Sequence, residues 1–292
     1  LEGGLFRNRG NLNIRELPFS IANLIFENPK ELTGTLNLSL GYNLDENNFM
    51  GLISSNNTSI NGYEIELEET KINFLNSLFS VDLSLLLNNS QSLFQLQGTI
   101  PTTLDKELNL RINSDEKILE LIDNLTNQNF TFNGGDGNLR MIISGKLDKP
   151  IANGFFFLRD GNMNLYDNAF RNINSTIIFD FNNLEVIDFS AENNESGMIL
   201  ISGSLPFYND LLSDNFINFI ASDFRLLGKN FNFIFNSNLT IANSFTNPLI
   251  GGGIDLSNGY INFKSNNEEE NINKNNLYQD NNLNSRWPEL NW

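Results

Sequence analysis

The 292-residue chain contains no cysteine and no histidine, and both absences exclude classes of function. Without these residues there is no cysteine or serine–histidine nucleophile system and no zinc site of the usual kind. Aspartate and glutamate are scattered, and no paired carboxylates are bracketed by apolar pocket sequence of the kind that acid–base catalysis uses. We therefore expect a protein that is not an enzyme, with no catalytic residue and no cofactor.

Long apolar runs and basic clusters are missing as well. Apolar stretches such as Gly154–Leu158 fall far short of the roughly 20 residues of a transmembrane helix. The net charge is −17, from 18 basic and 35 acidic residues. Such a surface repels nucleic acid and anionic lipid headgroups, so no nucleic-acid partner is expected. Because the chain begins with Leu1, we interpret it as an internal part of a longer protein.

What the sequence does contain is alternation of apolar and polar residues with a period of two. Clear examples are Leu36–Leu40, Ile177–Phe181 and Phe231–Phe235. This pattern is typical of antiparallel strands with one dry and one wet face. The polar positions are mainly Asn and Ser, and we attribute the excess of Asn to compositional bias. The sequence therefore predicts an all-β protein built on antiparallel sheet.

Two segments depart from this pattern. Residues 114–125 have the apolar spacing of a helix, with Asn113 as N-cap, and we interpret them as a short helix that plugs the sheet. Residues 265–292 are rich in Asn and Glu, which predicts a linker or disordered tail. The repetitive sheet is accordingly predicted over residues 1–264.

A proline–glycine unit occurs twice, at 150–165 and at 248–263, with an interval of 98 residues. Both copies read Pro-x3-Gly-x6-Gly, and their apolar positions also match. Shorter glycine–proline versions end at Pro101 and Pro206, so that such points come about every 50 residues. The shared spacing indicates an internal repeat.

Each copy contains a dipeptide that is typical of type I′ two-residue turns. We therefore predict hairpin turns at Asp160-Gly161 and Asn258-Gly259. In the first hairpin, Leu158 would pair with Met163 and Phe156 with Leu165. A further Gly-rich segment, Asn133–Asn138, has the composition of one calcium-binding β-roll repeat, but such sites need several tandem copies. We interpret it as a tight turn and predict no metal site.

The repeated pattern resembles the TamB family, part of the wider AsmA-like group that includes cyanobacterial and chloroplast-envelope relatives. The residues that carry the resemblance are Gly145–Leu165 and, more fully, Pro248–Phe263. The resemblance implies a long antiparallel sheet curled into a taco-like trough with a hydrophobic interior. It implies a place in the periplasm or cell envelope, with anchoring to the inner membrane by an upstream segment.

The same resemblance implies a function and partners. TamB-like proteins are implicated in carrying phospholipid between the inner and outer membranes. They are also implicated in assisting outer-membrane protein assembly with an insertase of the TamA or BamA type. The expected ligands are thus phospholipid acyl chains in a hydrophobic groove. The expected groove lining is Phe156, Leu158, Met163, Leu165, Ile177, Phe179, Phe181, Phe231, Phe233, Phe235, Ile254, Leu256, Ile261 and Phe263.

An alternative fits the same alternation. A face of Phe, Leu and Ile offers no hydrogen bonds, which suits a packed core as well as a dry channel, and composition alone favours the core. In that case the chain would be a secreted or surface β-solenoid or adhesin-like structural protein with a closed, Phe-rich core. A trough open along one edge would exclude this alternative.

Overall fold

The computed structural model describes residues 2–6, 8–24, 30–87, 91–125, 130–208 and 215–261. The tail predicted at 265–292 and the predicted lining residue Phe263 lie outside these residues. Within them nearly all of the chain is β-strand, as the alternation predicted. Neither helix of the described part has the length and apolar character of a membrane-crossing segment.

Seventeen strands, one 3₁₀ helix and one α-helix follow one another along the described residues. The strands are β1 (Glu2–Phe6), β2 (Arg9–Pro18), β3 (Leu32–Asn43), β4 (Asn48–Ile60), β5 (Tyr63–Leu67), β6 (Thr70–Leu75), β7 (Leu78–Leu87), β8 (Gln91–Pro101), β9 (Glu107–Asp115), β10 (Phe130–Lys146), β11 (Lys149–Leu165), β12 (Asn168–Phe181), β13 (Asn183–Glu192), β14 (Met198–Pro206), β15 (Phe216–Gly228), β16 (Phe231–Asn243) and β17 (Pro248–Ile261). The 3₁₀ helix covers Phe19–Leu24, and the α-helix, α1, covers Ile118–Leu125.

The strands form one antiparallel sheet in which pairing follows the order of the chain. Among the described residues, the registers pair β1 only with β2 and β17 only with β16. β1 and β17 therefore stand at the two ends of this series of strands. Between β4 and β7, the short strands β5 and β6 share one position, because both neighbours pair with each of them. The predicted fold class, an all-β protein with one long antiparallel sheet, is confirmed.

The registers place the apolar residues of successive strands on one side of the sheet, here called the apolar face. Cross-strand partners share a face, so a row of partners traces it. One such row runs unbroken from β2 to β12, and each member is the register partner of the next: Leu12, Leu40, Gly51, Ile72, Val81, Gly98, Leu110, Ile143, Ala152 and Phe181. The opposite side, the polar face, carries mainly Asn, Ser and charged residues in β2–β9.

The two predicted hairpin turns are wrong. Asp160-Gly161 lies inside β11 and Asn258-Gly259 lies inside β17. A type I′ turn needs positive φ at both central residues. Here Asp160 and Asn258 have φ values of 49° and 48°, but neither glycine that follows has positive φ. The register shifts beside each dipeptide, so each is a β-bulge that adds one residue to its strand.

The bulge explains why the spacing of apolar residues led to the wrong prediction of a hairpin. Leu158 and Met163 lie on one strand instead of pairing across a turn, and so do Phe156 and Leu165. The extra residue at Asp160 moves the apolar positions from even to odd numbers while it keeps them on the apolar face. A two-residue turn gives the same change of parity, so alternation alone does not separate the two structures.

The 98-residue repeat itself is reproduced in the registers. Gly154 and Gly252 are 98 residues apart, and so are their register partners in β10 and β16, as an internal repeat requires. A Cβ on Gly154 or Gly252 would lie 2.0 or 2.1 Å from a carbonyl oxygen of the preceding strand, and their φ values are 151° and 122°. Gly98 and Gly203 also have positive φ, and a Cβ on either would lie as close to a carbonyl oxygen, in their case one of the following strand. One glycine of this kind therefore stands on every third strand from β8 to β17, where a side chain would force the strands apart.

Asparagine side chains on neighbouring strands accept hydrogen bonds from the backbone N–H groups of the bulge residues. The N–H of Asp160 donates to Oδ1 of Asn174 at 3.2 Å, and the N–H of Asp223 donates to Oδ1 of Asn236 at 2.7 Å. Asp223 is also a bulge residue with positive φ, and the bulge at Glu16 of β2 makes the same kind of contact to β3. Part of the Asn excess therefore has a structural role that compositional bias does not explain.

The predicted helix is shorter than expected. It begins at Ile118, because residues up to Asp115 continue β9. Oδ1 of Asp115, rather than the side chain of Asn113, accepts the N–H of Lys117 at 3.1 Å ahead of the helix. The tight turn predicted at 133–138 is wrong, since these residues belong to β10 and carry its register shifts. In the described part of the chain, no three His, Cys, Asp or Glu residues come together as metal ligands.

Candidate functional site

The apolar face differs in exposure between its two halves. In β2–β9, here called the open half, the residues in the middle of the strands are half-buried although they are large and apolar. They are Leu12, Ile14, Leu38, Leu40, Ile53, Ile72, Val81, Leu83, Leu96, Leu110 and Ile112. A packed core contains at least some large apolar side chains that are buried completely, and none of these eleven is. The open half is therefore an apolar surface that water and other molecules reach.

One end of the open half is filled by a hydrophobic cluster, here called the plug. Its buried members are Ile60, Ile65, Leu93 and Leu121, and Phe19, Leu32, Tyr63, Leu85 and Ile118 pack against them. The 3₁₀ helix contributes Phe19, while α1 contributes Ile118 and Leu121. Because the strand ends and both helices meet here, the plug closes this end by packing.

Tyr63 adds a polar contact to the plug. Its hydroxyl donates to the backbone carbonyl of Lys117 at 3.3 Å, which joins β5 to the residue before α1. Burial, followed by the nearby charge of Glu120, raises the pKa of Tyr63. The phenol therefore remains protonated at neutral pH and keeps its role as donor.

The two faces of the open half are chemically separate. Its apolar face carries Leu, Ile, Val, Phe and Tyr, with Gly, Ser and Thr between them. Charged residues such as Lys71, Asp82 and Arg111 alternate with these positions and are exposed on the polar face. The apolar face therefore offers hydrophobic contact with no charge and almost no hydrogen bonding, which suits a hydrocarbon chain.

The length of the open half can be compared with that of an acyl chain. The row from Leu12 in β2 to Leu110 in β9 crosses seven paired strands. At about 4.8 Å per strand, its six spacings cover about 29 Å of sheet. One leaflet of a bilayer supplies about 15 Å of hydrocarbon. The open half is thus about two acyl chains long.

The other half of the apolar face, in β11–β16, is packed and is here called the closed half. Its fully buried side chains include Ile173 of β12, Leu205 of β14 and Phe224 of β15. The rings of Phe170 and Phe224 have centroids 5.4 Å apart, although β13 and β14 lie between their strands in the sheet. The apolar side chains of this half therefore pack on one another.

Backbone lengths explain this packing. β13 ends at Glu192 and β14 begins at Met198, whereas β12 and β15 extend beyond that hairpin and meet. There the side chain of Asn168 donates from Nδ2 to the carbonyl of Leu227 at 2.8 Å. The N–H of Leu227 in turn donates to Oδ1 of Asn168 at 2.7 Å. One amide thus joins two strands that are not neighbours in the sheet.

Replacing Asn168 with alanine should destabilise the closed half. The change removes both bonds and leaves a part-buried N–H and carbonyl of Leu227 unpaired, which should lower the free energy of unfolding by about 2 kcal/mol. Urea unfolding followed by circular dichroism measures the change. The control is Asn109→Ala on the polar face of β9. Its free energy of unfolding is expected within about 0.5 kcal/mol of that of the unchanged protein. Equal values for both variants would show that the Asn168 contacts do not stabilise the fold.

The registers place the described members of the predicted lining on the apolar face but do not bring them to one surface. Leu158 is buried; Phe156, Met163, Ile177, Phe179, Phe233 and Phe235 are half-buried; Leu165, Phe181, Phe231, Ile254, Leu256 and Ile261 are exposed. The half-buried members belong to the closed half, and the last three exposed ones belong to β17.

The sequence interpretation favoured the Phe-rich strands and left out the open half, which is lined by Leu, Ile and Val. The alternation at Leu36–Leu40 was the available signal. No family model, no curated protein and no solved structure matches the chain.

Proposed function

We propose that the protein carries phospholipid acyl chains along the open half of its apolar face, as a cell-envelope protein of the TamB type. The observation that supports this most directly is the row of uncharged residues that crosses seven strands, in which every large apolar side chain is half-buried and none is fully buried. A structural protein with a closed core would have packed these residues as tightly as the closed half packs Leu205 and Phe224.

The physical basis is the hydrophobic effect. Each CH₂ group that leaves water for an apolar surface contributes about 0.8 kcal/mol. Contacts with Leu, Ile and Val side chains are not directional, so a bound chain can move from one strand to the next without breaking specific bonds. The polar face stays in water throughout. The plug occupies one end of the open half and limits where a chain can enter.

In this proposal the protein belongs in the periplasm, attached to the inner membrane by a segment upstream of Leu1. Phospholipid passes along the sheet towards the outer membrane. An insertase of the TamA or BamA type is the partner there, and help in outer-membrane protein assembly is a second use of the same contact. These parts of the proposal come from the resemblance of the repeated unit.

The test uses a matched pair of charge insertions in β7. Val81 lies on the apolar face in the middle of the open half, and Ser80 lies next to it on the polar face. A glutamate at Val81 displaces contact with at least two CH₂ groups, about 1.6 kcal/mol, so Val81→Glu should weaken binding of a fluorescent phospholipid more than tenfold. Ser80→Glu should bind as the unchanged protein does.

Circular dichroism of both variants separates loss of binding from loss of fold. A benzophenone side chain at position 81 should also crosslink to phospholipid in vesicles, whereas one at Asp82 should not. If Val81→Glu folds and binds lipid normally, the proposed carrier function is wrong. If Val81→Glu unfolds and the unchanged protein crosslinks no lipid, the closed-core structural protein is the better description.

A further inference from the structure

The two edges of the open half, where its strands end, carry different connections. At one edge, the connection from β2 to β3 contains the 3₁₀ helix and the connection from β9 to β10 contains α1, and both helices contribute to the plug. At the opposite edge, the strands are joined by turns of two to five residues at 44–47, 76–77 and 102–106. Turns of this length are too short to fold over the apolar face, so this side is here called the uncovered edge.

A row of large side chains lines the apolar face along the uncovered edge and is here called the edge row. Its members are Tyr42, Phe49, Phe74, Phe79 and Ile100, and each is the register partner of the next. All five are half-buried or exposed. The turns beyond the edge row consist mainly of polar and charged residues. The apolar face therefore passes directly into water at this edge.

β7 crosses the open half from the edge row to the plug. Its apolar-face residues are Phe79 in the edge row, then Val81 and Leu83, and finally Leu85, which packs against the plug. At about 3.4 Å per residue, the distance from Phe79 to Leu85 is about 20 Å. One leaflet of a bilayer supplies about 15 Å of hydrocarbon. One acyl chain therefore fits along the strand, between the uncovered edge and the plug.

The plug leaves no space for a hydrocarbon chain to continue. Leu93 is completely buried, and Ile60 and Leu121 are each 5% exposed. Packed clusters of this kind contain few voids larger than a water molecule. A chain that enters over the uncovered edge must therefore end where the plug begins.

We propose that the plug is a stop that sets the length of the acyl chains that the open half accepts. This inference rests on the proposed lipid-carrier function and adds an orientation and a limit to it. Each acyl chain lies along a strand, with the headgroup in water at the uncovered edge and the methyl end against the plug. Because neighbouring strands are about 4.8 Å apart, the two chains of one phospholipid lie side by side on adjacent strands.

A series of single-chain phosphatidylcholines tests the limit. Lauroyl, myristoyl, palmitoyl, stearoyl and arachidoyl forms compete with a fluorescent phospholipid for the full chain, each at concentrations at which it is monomeric. Affinity should rise about fourfold for each added CH₂ while the chain still gains apolar contact. Once the chain reaches the plug, further CH₂ groups should add no affinity.

Two alanine variants of α1 form a matched pair for this series. Leu121→Ala removes a buried side chain from the stop, so the longest chains should bind at least tenfold more tightly than they bind the unchanged protein. Ile122 is 39% exposed and is not a member of the plug, so Ile122→Ala should leave the series unchanged. Circular dichroism verifies that both variants are folded.

A second measurement leaves the plug intact and reports the orientation of the chain. The protein has no cysteine, so Phe79→Cys or Leu83→Cys gives a single site for a fluorophore. A nitroxide near the headgroup of stearoyl phosphatidylcholine should quench the fluorophore at position 79 more than the one at 83. A nitroxide at the methyl end should quench the fluorophore at position 83 more than the one at 79.

Two results would overturn the stop while leaving the carrier function in place. Affinity for the unchanged protein that keeps rising to the longest chain would show that the plug sets no limit. Equal quenching at positions 79 and 83 by both nitroxides would show that the chains lie across the strands. Quenching decides the question even if Leu121→Ala unfolds. Failure of every lipid to bind would refute the carrier function and the stop together.

Discussion

Replacing Gly154 with alanine is expected to lower the free energy of unfolding by about 4 kcal/mol, with a fall in melting temperature of about 10 °C. The new Cβ would lie 2.0 Å from the carbonyl oxygen of Arg140, which is far inside van der Waals contact. The φ of 151° at this position adds strain for any residue with a Cβ. β10 and β11 must therefore separate, and the apolar face loses packing on both. Thermal unfolding followed by circular dichroism measures the effect.

Two further glycines act as controls. A Cβ on Gly41 of β3 would meet no atom within 4 Å, and this glycine has no positive φ, so Gly41→Ala should leave stability unchanged or slightly raised. Gly252 has the geometry of Gly154 but lies in the end strand, so Gly252→Ala should free β17 and leave the melting of the sheet nearly unchanged. A Gly154→Ala variant as stable as Gly41→Ala would contradict the close approach of β10 and β11.

Replacing Phe224 with alanine should lower the free energy of unfolding by about 3–5 kcal/mol. The side chain is completely buried and packs in one cluster with Ile199 and Ala221, against the ring of Phe170. Its removal leaves a cavity between strands that are not neighbours in the sheet, and their backbones cannot close it without breaking the Asn168 bridge. Urea unfolding and hydrogen exchange in β12 and β15 measure the loss.

The matched control for this change is Phe216→Ala, in the same strand. Phe216 is 45% exposed, so its truncation should cost less than about 1 kcal/mol. Phospholipid binding gives a second readout, because Phe224 packs in the closed half and not in the open half, where the lipid is proposed to bind. Retained binding in a destabilised Phe224→Ala variant is the expected result. Equal stability of the two alanine variants would show that the closed half is not packed as described.

The strands were predictable because each one alternates over its own length. Leu36–Leu40 and Phe231–Phe235 needed no information beyond their neighbours in sequence, and both lie in the strands expected. The 98-residue repeat was predictable for the same reason, and its glycines and left-handed residues fall at the same places in both copies. Turn chemistry was less informative, since Asp160-Gly161 suits a bulge as well as a hairpin.

The division into open and closed halves was not predictable from alternation. Leu83 and Leu205 both stand in alternating segments, yet the first is half-buried and the second is fully buried. Leu205 is buried in a cluster with Val186 and Ile217, whereas Phe224 is buried near the point where β12 and β15 extend past a shorter hairpin and meet through Asn168. Such contacts depend on strand lengths and registers over some 60 residues. A periodicity read along one strand contains no information about them.

The bulges have a consequence for how this sheet reaches a single structure. In a strand of uniform alternation, a slip of two residues keeps every apolar side chain on the same face, so hydrophobic burial does not penalise it. A bulge marks one position along the strand, because the register before it differs by one residue from the register after it. A two-residue slip would move Asp160 away from Asn174 and Asp223 away from Asn236, and it would leave positive-φ residues beside regular backbone. The asparagines thus select one register among several of equal hydrophobicity in the strand pairs β2–β3, β11–β12 and β15–β16, where they accept the N–H of a bulge residue.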